Sequence, residues 1–382
     1  MSEEVDRATQ GSGTESGSRS DSPRVWLIVG EKRGDNAQIR SLARSVSWAF
    51  EEKTVRVAPE WIDGKPRVRA SLDHLDRDHS DAFEGPWPDL VITAGRRLAS
   101  VGLWIKQASG GRTRVVVIGK PRGRTEDFDL IVVAAHYVMR DAPNVARHAF
   151  PLNQVDLDAL AESKRAWAGR LRLRPRPLTA LMVGGPTGGL RFDVETARAL
   201  LEKTLEVVDS QSGSLYVTTS RRTPPAVADW FREACPESVP LYLYRSDSAF
   251  GENPYAGLLA LADDFVVTSD SLSMMVEVAQ LGRPLRIHPL TRDAGPVEGA
   301  LVAAGLLEAL SPRMNAIPAG GGVARALSAL GWPIHSRDLT AISRRLVEMR
   351  LAGWLGDPAV EPAVYHDDAL ERVAERIRAL VA

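Results

Sequence analysis

Four stretches of this chain carry side chains whose types and spacing suit a phosphorylated ligand and group transfer. The most informative is Thr268-Ser269-Asp270-Ser271-Leu272-Ser273-Met274-Met275-Val276-Glu277, where an apolar run ends in small hydroxyl residues and a helical pattern follows. Small side chains such as Ser269, Ser271 and Ser273 leave room for a ligand against the backbone, and Asp270 or Ser271 can cap the helix. Glu277 stands among Met275, Val276 and Val278, so its carboxylate is partly shielded and could accept both hydroxyls of a ribose. The plainer reading is a surface glutamate on an amphipathic helix.

Gly184-Gly185-Pro186-Thr187-Gly188-Gly189 joins an apolar run to a helix whose first turn offers Asp193. Glycines let backbone N–H groups approach an anion, and a helix N-terminus adds partial positive charge. Arg191 could add a donor; the alternative is a tight turn that needs positive φ. The stretch is neither a dinucleotide fingerprint nor a P-loop. Thr218-Thr219-Ser220-Arg221-Arg222-Thr223 closes the next run, and paired guanidinium groups there suit a diphosphate. One of the two arginines is expected to serve the ligand; Ser220 or Thr223 can equally cap the helix entered through Pro224 and Pro225.

The fourth stretch, Gly30 to Asn36, crowds Glu31, Lys32, Asp35 and Asn36 between two flexible glycines, Gly30 and Gly34. Asp35 or Asn36 can cap a helix beginning near Gln38, or Asp35 can act as a general base once a neighbouring domain desolvates it. Gly95-Arg96-Arg97 and Gly119-Lys120-Pro121-Arg122 are basic strand ends that either hold an anionic acceptor or stay solvated. His136 follows another apolar run, facing a cleft or serving as a hydrogen-bonded structural residue.

Positioning these loops requires alternating strands and helices. Val25–Val29, Thr54–Ala58, Asp89–Thr93, Arg114–Ile118 and Asp129–Ala134 read as strands, with helices over Gln38 to about Phe50 and Arg96–Ala108. The pattern restarts after the Pro- and Arg-rich connector Leu171–Pro177. Strands are expected at Leu178–Val183, Ser214–Thr218, Leu241–Tyr244, Phe265–Thr268 and Leu285–His288. Helices are expected near Asp193–Val208, Pro225–Ala234, Tyr255–Ala262 and Ser271–Leu281. These give an α/β chain with two Rossmann-like domains, 23–172 and 173–290, after a disordered leader at 1–22. Residues 291–382 read as mainly helical, with a break at Gly320–Gly322.

The 382 residues hold 48 Lys and Arg against 49 Asp and Glu, so no general pull toward nucleic acid or anionic membrane exists; a local basic patch stays open, no nucleic-acid partner is expected, and peripheral membrane contact is open but not indicated. No run reaches the length of a membrane span, residues 1–22 lack the basic start and apolar stretch of a signal peptide, and a cytoplasmic location is expected. The single cysteine, Cys235, rules out an internal disulfide and Cys-based zinc or iron–sulfur sites. No H-E-x-x-H motif, His/carboxylate cluster at metal spacing or G-x-S-x-G elbow occurs. The nine tryptophans are dispersed and read as packing residues, not as a base-stacking platform.

Taken together, Gly30 to Gln38, Gly184 to Gly188 and Thr268 to Met275 resemble the mitochondrial fission Elm-type family. Its bacterial members are often labelled nucleoside-diphosphate-sugar epimerases. The resemblance runs from about Arg24 to Pro289. That family is in turn similar to GT-B glycosyltransferases, in which the first domain binds the acceptor and the second a nucleotide-sugar across a cleft. The resemblance places Gly184, Gly185, Thr187 and Arg221 by the diphosphate, and Ser271 and Glu277 by the nucleoside and sugar. It puts Gly34-Asp35 where heptosyltransferase-like enzymes carry their base. The first domain lacks a Gly-Gly-x-Gly-Gly acceptor loop.

The expected activity is metal-independent glycosyl transfer from a nucleoside-diphosphate sugar, with no resident cofactor and no metal site. Gly30, Lys32, Gly34, Asn36, Arg96 and His136 are expected on the acceptor side, with Asp35 as base. The alternative from another class is a non-catalytic descendant that recruits partners. A sugar-nucleotide epimerase is a further reading; it is disfavoured because the first strand lacks a dinucleotide fingerprint and no Tyr-x-x-x-Lys pair exists.

Overall fold

Short Val- and Ile-rich runs that alternate with helices bury both strand faces only in a parallel sheet covered on each side. The computed structural model has that arrangement twice; it describes residues 22–62, 68–121, 123, 125–137, 139, 141–171, 175–187, 190–244, 252–292 and 338–382. The first sheet comprises β1 (Val25–Val29), β2 (Phe50–Thr54), β3 (Leu90–Ala94), β4 (Arg114–Ile118), β5 (Leu130–Ala134) and β6 (Val145–His148). Its order is β2-β1-β3-β4-β5-β6, parallel throughout.

The second sheet is built from β7 (Leu178–Val183), β9 (Ser214–Thr219), β10 (Leu241–Tyr242), β11 (Asp264–Thr268), β12 (Leu285–His288) and β14 (Gly353–Trp354). It runs β10-β9-β7-β11-β12-β14, again parallel. A small antiparallel ribbon joins β8 (Leu190–Arg191) to β13 (Thr291–Arg292). Each sheet reverses its winding once, between β1 and β3 and between β7 and β11. At such a switch point the loops leaving the strands diverge and open a crevice.

The helices are α1 (Arg33–Val46), α2 (Arg96–Ala108), α3 (Leu157–Trp167), α4 (Val194–Ser210), α5 (Pro225–Ala234), α6 (Tyr255–Leu261), α7 (Leu272–Gln280), α8 (Thr340–Glu348) and α9 (Ala369–Val381). Ile39 and Leu42 of α1 cover one face of the first sheet, and Ala99 and Ile105 of α2 the other. In the second domain, Val276 of α7 and Ile342 of α8 share a core on one face, while Leu200 of α4 and Phe231 of α5 fill the opposite one.

Three boundaries depart from the sequence pattern; one is the strand expected at Leu241–Tyr244, which as an edge paired to β9 alone spans only Leu241–Tyr242. The strand expected at Thr54–Ala58 lies at Phe50–Thr54. It is the edge of its sheet, paired to β1 alone, so Glu51, Glu52 and Lys53 need not be apolar and hid the strand. The first helix begins at Arg33, so Gly34, Asp35 and Asn36 form its opening turn and not the loop before it.

The chain after Pro289 supplies α8 and α9 and also the edge strand β14. Helix α9 returns to the first domain, where Val373 and Ile377 join the core around Leu42. Arg378 donates to the Ser45 carbonyl at 2.7 Å, and Arg376 to that of Pro143 at 2.6 Å. The expected leader (apart from Ser22), the Gly320–Gly322 break and Gly188 lie outside the described residues. Among the described residues no helix is long and apolar enough to cross a membrane.

Candidate functional site

At the switch point of the second sheet, the loops after β7, β9 and β11 are bonded into one unit. The Gly184 N–H donates to Thr268 Oγ1 at 2.8 Å, and the Gly185 N–H to Asp270 Oδ2 at 3.0 Å. Arg222, from the loop after β9, donates to the same Asp270 oxygen at 2.7 Å. Thr223 Oγ1 donates to the Gly184 carbonyl at 2.6 Å and accepts from the Ser220 N–H at 3.0 Å. Ser271 Oγ donates to Asp270 Oδ2 at 3.1 Å. Asp270 is fully buried, and burial pushes its carboxyl above the usual range although Arg222 pulls the other way.

This geometry explains the glycines without positive φ. A methyl group on Gly185 would stand 1.9 Å from the Arg222 carbonyl oxygen, and one on Gly184 would stand 2.3 Å from the Asp270 carboxylate. Close approach of neighbouring loops therefore fixes both residues as glycine. The helix caps read from sequence also change. Ser271 occupies the N-cap position of α7 without a capping bond, Asp270 turns to Gly185 instead, and α5 is entered at Pro224 with no side-chain cap. Asp193 does cap α4, through the Thr196 N–H at 2.9 Å, and holds Arg191 at 3.0 Å.

Of the hydroxyls expected at the ligand, Ser269 is buried and accepts the Leu290 N–H at 3.0 Å, tying β11 to the chain after β12. The Thr187 carbonyl accepts the Leu190 N–H at 3.0 Å. Arg221 is exposed, whereas Arg222 is the arginine joined to the loop cluster. The two side chains that organise this site, Asp270 and Arg222, stood in the sequence as a possible cap and as one of a pair. A buried carboxylate that accepts backbone N–H groups from a distant loop leaves no local sequence signal.

Glu277 is not the surface glutamate of the plainer reading. Its carboxylate accepts the Tyr255 hydroxyl of α6 and a hydrogen bond from Asn153, and burial raises its pKa. Asn153 belongs to the crossing segment between the domains, where the Gln280 amide donates to its carbonyl at 2.6 Å. The same crossing segment binds α1, the Leu152 N–H donating to Gln38 Oε1 at 3.2 Å.

In the first domain, Asn36 donates to the Gly30 carbonyl at 2.6 Å and accepts the Gly30 N–H at 3.1 Å. Asn36 thus closes the turn after β1; the N-cap position of α1 is Lys32, which is exposed and makes no capping bond. Asp35, in the first turn of α1, points across the switch point: a methyl on Gly95, the N-cap of α2, would stand 3.4 Å from Asp35 Oδ2. Arg96 opens α2 and is half-buried. His136 is buried at the end of β5, its ring against Tyr137, and its carbonyl accepts the Asp338 N–H at 2.8 Å just before α8. The two strand-end edges meet where Gly34 of α1 lies beside Ser273 of α7.

Two doubly wound parallel domains whose switch-point loops approach each other define a GT-B-like architecture. The chain belongs to the family described as Mitochondrial fission ELM1, whose model matches residues 33–312. It is 25% identical over 291 residues to the mitochondrial fission protein ELM1 of Arabidopsis thaliana, covering 66% of this chain and 67% of that one. An uncharacterized protein of Rickettsia prowazekii, RP120, is 24% identical over 296 residues, covering 69% and 82%. Similar solved structures include the UDP co-structure of S. aureus MnaA, at 11% identity and TM-score 0.45 with 93% and 96% coverage. A glycosyltransferase of Rickettsia africae is similar at 8% identity and TM-score 0.45, with 95% and 99% coverage.

Proposed function

We propose that this chain is a glycosyltransferase that moves a sugar from a nucleoside-diphosphate donor on the second domain to an acceptor on the first. The supporting observation is the junction of Gly34 with Ser273, which sets Asp35 and the Asp270–Arg222 loop cluster on facing edges. The donor diphosphate lies against the loop cluster, with Arg222 and the N-terminus of α7 supplying positive charge. Among the described residues no group of three or more His, Cys, Asp or Glu is placed to hold a metal ion. In this proposal arginine and backbone carry the charge of the departing diphosphate.

In an inverting transfer, the acceptor oxygen bonds to the anomeric carbon while the bond from that carbon to the diphosphate oxygen breaks. The diphosphate leaves with the electron pair, and the acceptor proton passes to the Asp35 carboxylate. A panel of UDP-, GDP- and ADP-linked sugars is expected to raise the melting temperature with at least one member. A melting curve unmoved by saturating levels of all of them would overturn the proposal.

One observation favours a second reading, a partner-recruiting protein without catalysis. The Glu277 carboxylate, expected at the ribose, is already engaged by Tyr255 and Asn153. A recruiting protein is expected to keep its cellular function in Asp35→Asn, which removes the base without breaking the fold, whereas a transferase loses it.

A further inference from the structure

The chain crosses from the first domain to the second between α1 and α7. The interior of a helix bonds its own backbone groups, so a segment running between two helices finds partners only in their side chains. Such partners stand on both sides. The Leu152 N–H donates to Gln38 Oε1 at 3.2 Å and the Gln154 N–H to Ser41 Oγ at 3.4 Å, both on α1. The Val155 N–H donates to Gln280 Oε1 at 3.0 Å, and the Gln280 amide donates to the Asn153 carbonyl at 2.6 Å. Residues 152 and 154 thus bond to the first domain and residues 153 and 155 to the second, the alternation of an extended chain.

The spacing on both helices suits this role. Gly34, Gln38 and Ser41 follow at i, i+4 and i+7, which places them on one face of α1. Ser273 and Gln280 stand at i and i+7 on one face of α7. In each helix the first turn meets the other domain at the cleft and a later turn holds the crossing chain. The side chains of the segment are divided in the same way: Phe150 is buried in the core of the second domain and Leu152 in that of the first. The chain that returns to α9 is joined at this point too, the Tyr365 ring lying 5.8 Å from that of Phe150. Domains joined by a flexible linker move relative to each other by default. Here, parting Gly34 from Ser273 requires Gln38 and Ser41, or Gln280, to release the segment.

We propose that residues 150–155 are a strap that holds the two domains in one arrangement, with Gln38, Ser41 and Gln280 setting the width of the cleft. The strap uses none of the residues assigned to donor or acceptor, and it stands independently of the transferase reading.

The test uses the full chain with Cys235→Ser, spin-labelled through Glu31→Cys after β1 and Glu195→Cys in the first turn of α4, both exposed positions. Wild type is expected to give a single narrow distance. Gln38→Ala with Gln280→Ala should add a second, longer population, whereas Gln154→Ala, which changes an exposed side chain and keeps the backbone bonds, should not. Amide exchange reads the strap directly. In wild type the N–H groups of Leu152, Gln154 and Val155 should exchange at least about 100-fold more slowly than in an unprotected chain, and the double variant should restore at least about tenfold of that rate. If the double variant does not fold, Gln280→Ala alone decides by the same comparison. A broad wild-type distribution, unprotected strap amides in wild type, or a folded variant that keeps the wild-type distance overturns the proposal. So does a longer population in Gln154→Ala equal to that of the double variant.

Discussion

Gly34 and Ser273 sit face to face: a methyl on Gly34 would stand 3.8 Å from Ser273 Oγ, ordinary contact distance. One lies in the first turn of α1 and the other in the first turn of α7, so the two domains meet at the ends of their ligand-side helices. The distance separates Gly34 from the glycines of the second domain. Gly34→Ala is expected to fold normally and to gain up to about 0.5 kcal/mol from helix propensity. Gly185→Ala, which drives a methyl into the Arg222 carbonyl, is expected to lose about 3 kcal/mol. Urea unfolding of the two variants checks both signs; equal stabilities would contradict the loop packing.

Arg222 and Asp270 form an asymmetric pair, the aspartate side chain fully buried and the arginine side chain 42% exposed. Removing the arginine strands a buried charge, a cost of about 1–2 kcal/mol once discounted for that exposure. Arg222→Gln is therefore expected to destabilise the fold, and adding Asp270→Asn should recover most of the loss. A double-mutant cycle measures this, and additive effects would mean that the pair is not coupled.

Asp35 makes no side-chain hydrogen bond among the described residues, so its charge supports folding only through the positive end of α1, by less than about 1 kcal/mol. Asp35→Asn is expected to cut transfer by about 10²–10⁴-fold while donor affinity and melting temperature stay near wild type. Once an active donor is found, steady-state rates decide; wild-type turnover would remove Asp35 from the mechanism.

Two buried histidines make the fold acid-sensitive. Burial lowers His148 and His288 from 6.5 to about 4, so each contributes stability that is present above 6.5 and lost as pH falls toward 4. Each is linked to about 3 kcal/mol at most across that window. Glu277 works in the opposite sense: its raised pKa gives stability below the usual carboxylate range that is lost as pH rises. His148→Asn is expected to flatten the decline of melting temperature between pH 7 and 5, and Glu277→Gln to steepen it. Slopes that match wild type in both variants would refute these assignments.

The sequence by itself determined the repeated αβ grammar, because fully buried parallel strands must be apolar runs separated by amphipathic helices. Central strands such as Val25–Val29 and Leu178–Val183 were legible for that reason. Edge strands β2, β6 and β14 were not, since a strand paired on one side carries charge or shrinks to two residues. The sequence also marked the loops after β1, β7, β9 and β11 as chemically rich. Only tertiary structure decided how they combine. Asp270 meets the Gly185 N–H across 85 residues, Tyr255 meets Glu277, and α9 returns to the first domain through Arg378 and the Ser45 carbonyl. Such partners lie on separate elements, and local spacing cannot encode which loops a sheet's strand order brings together.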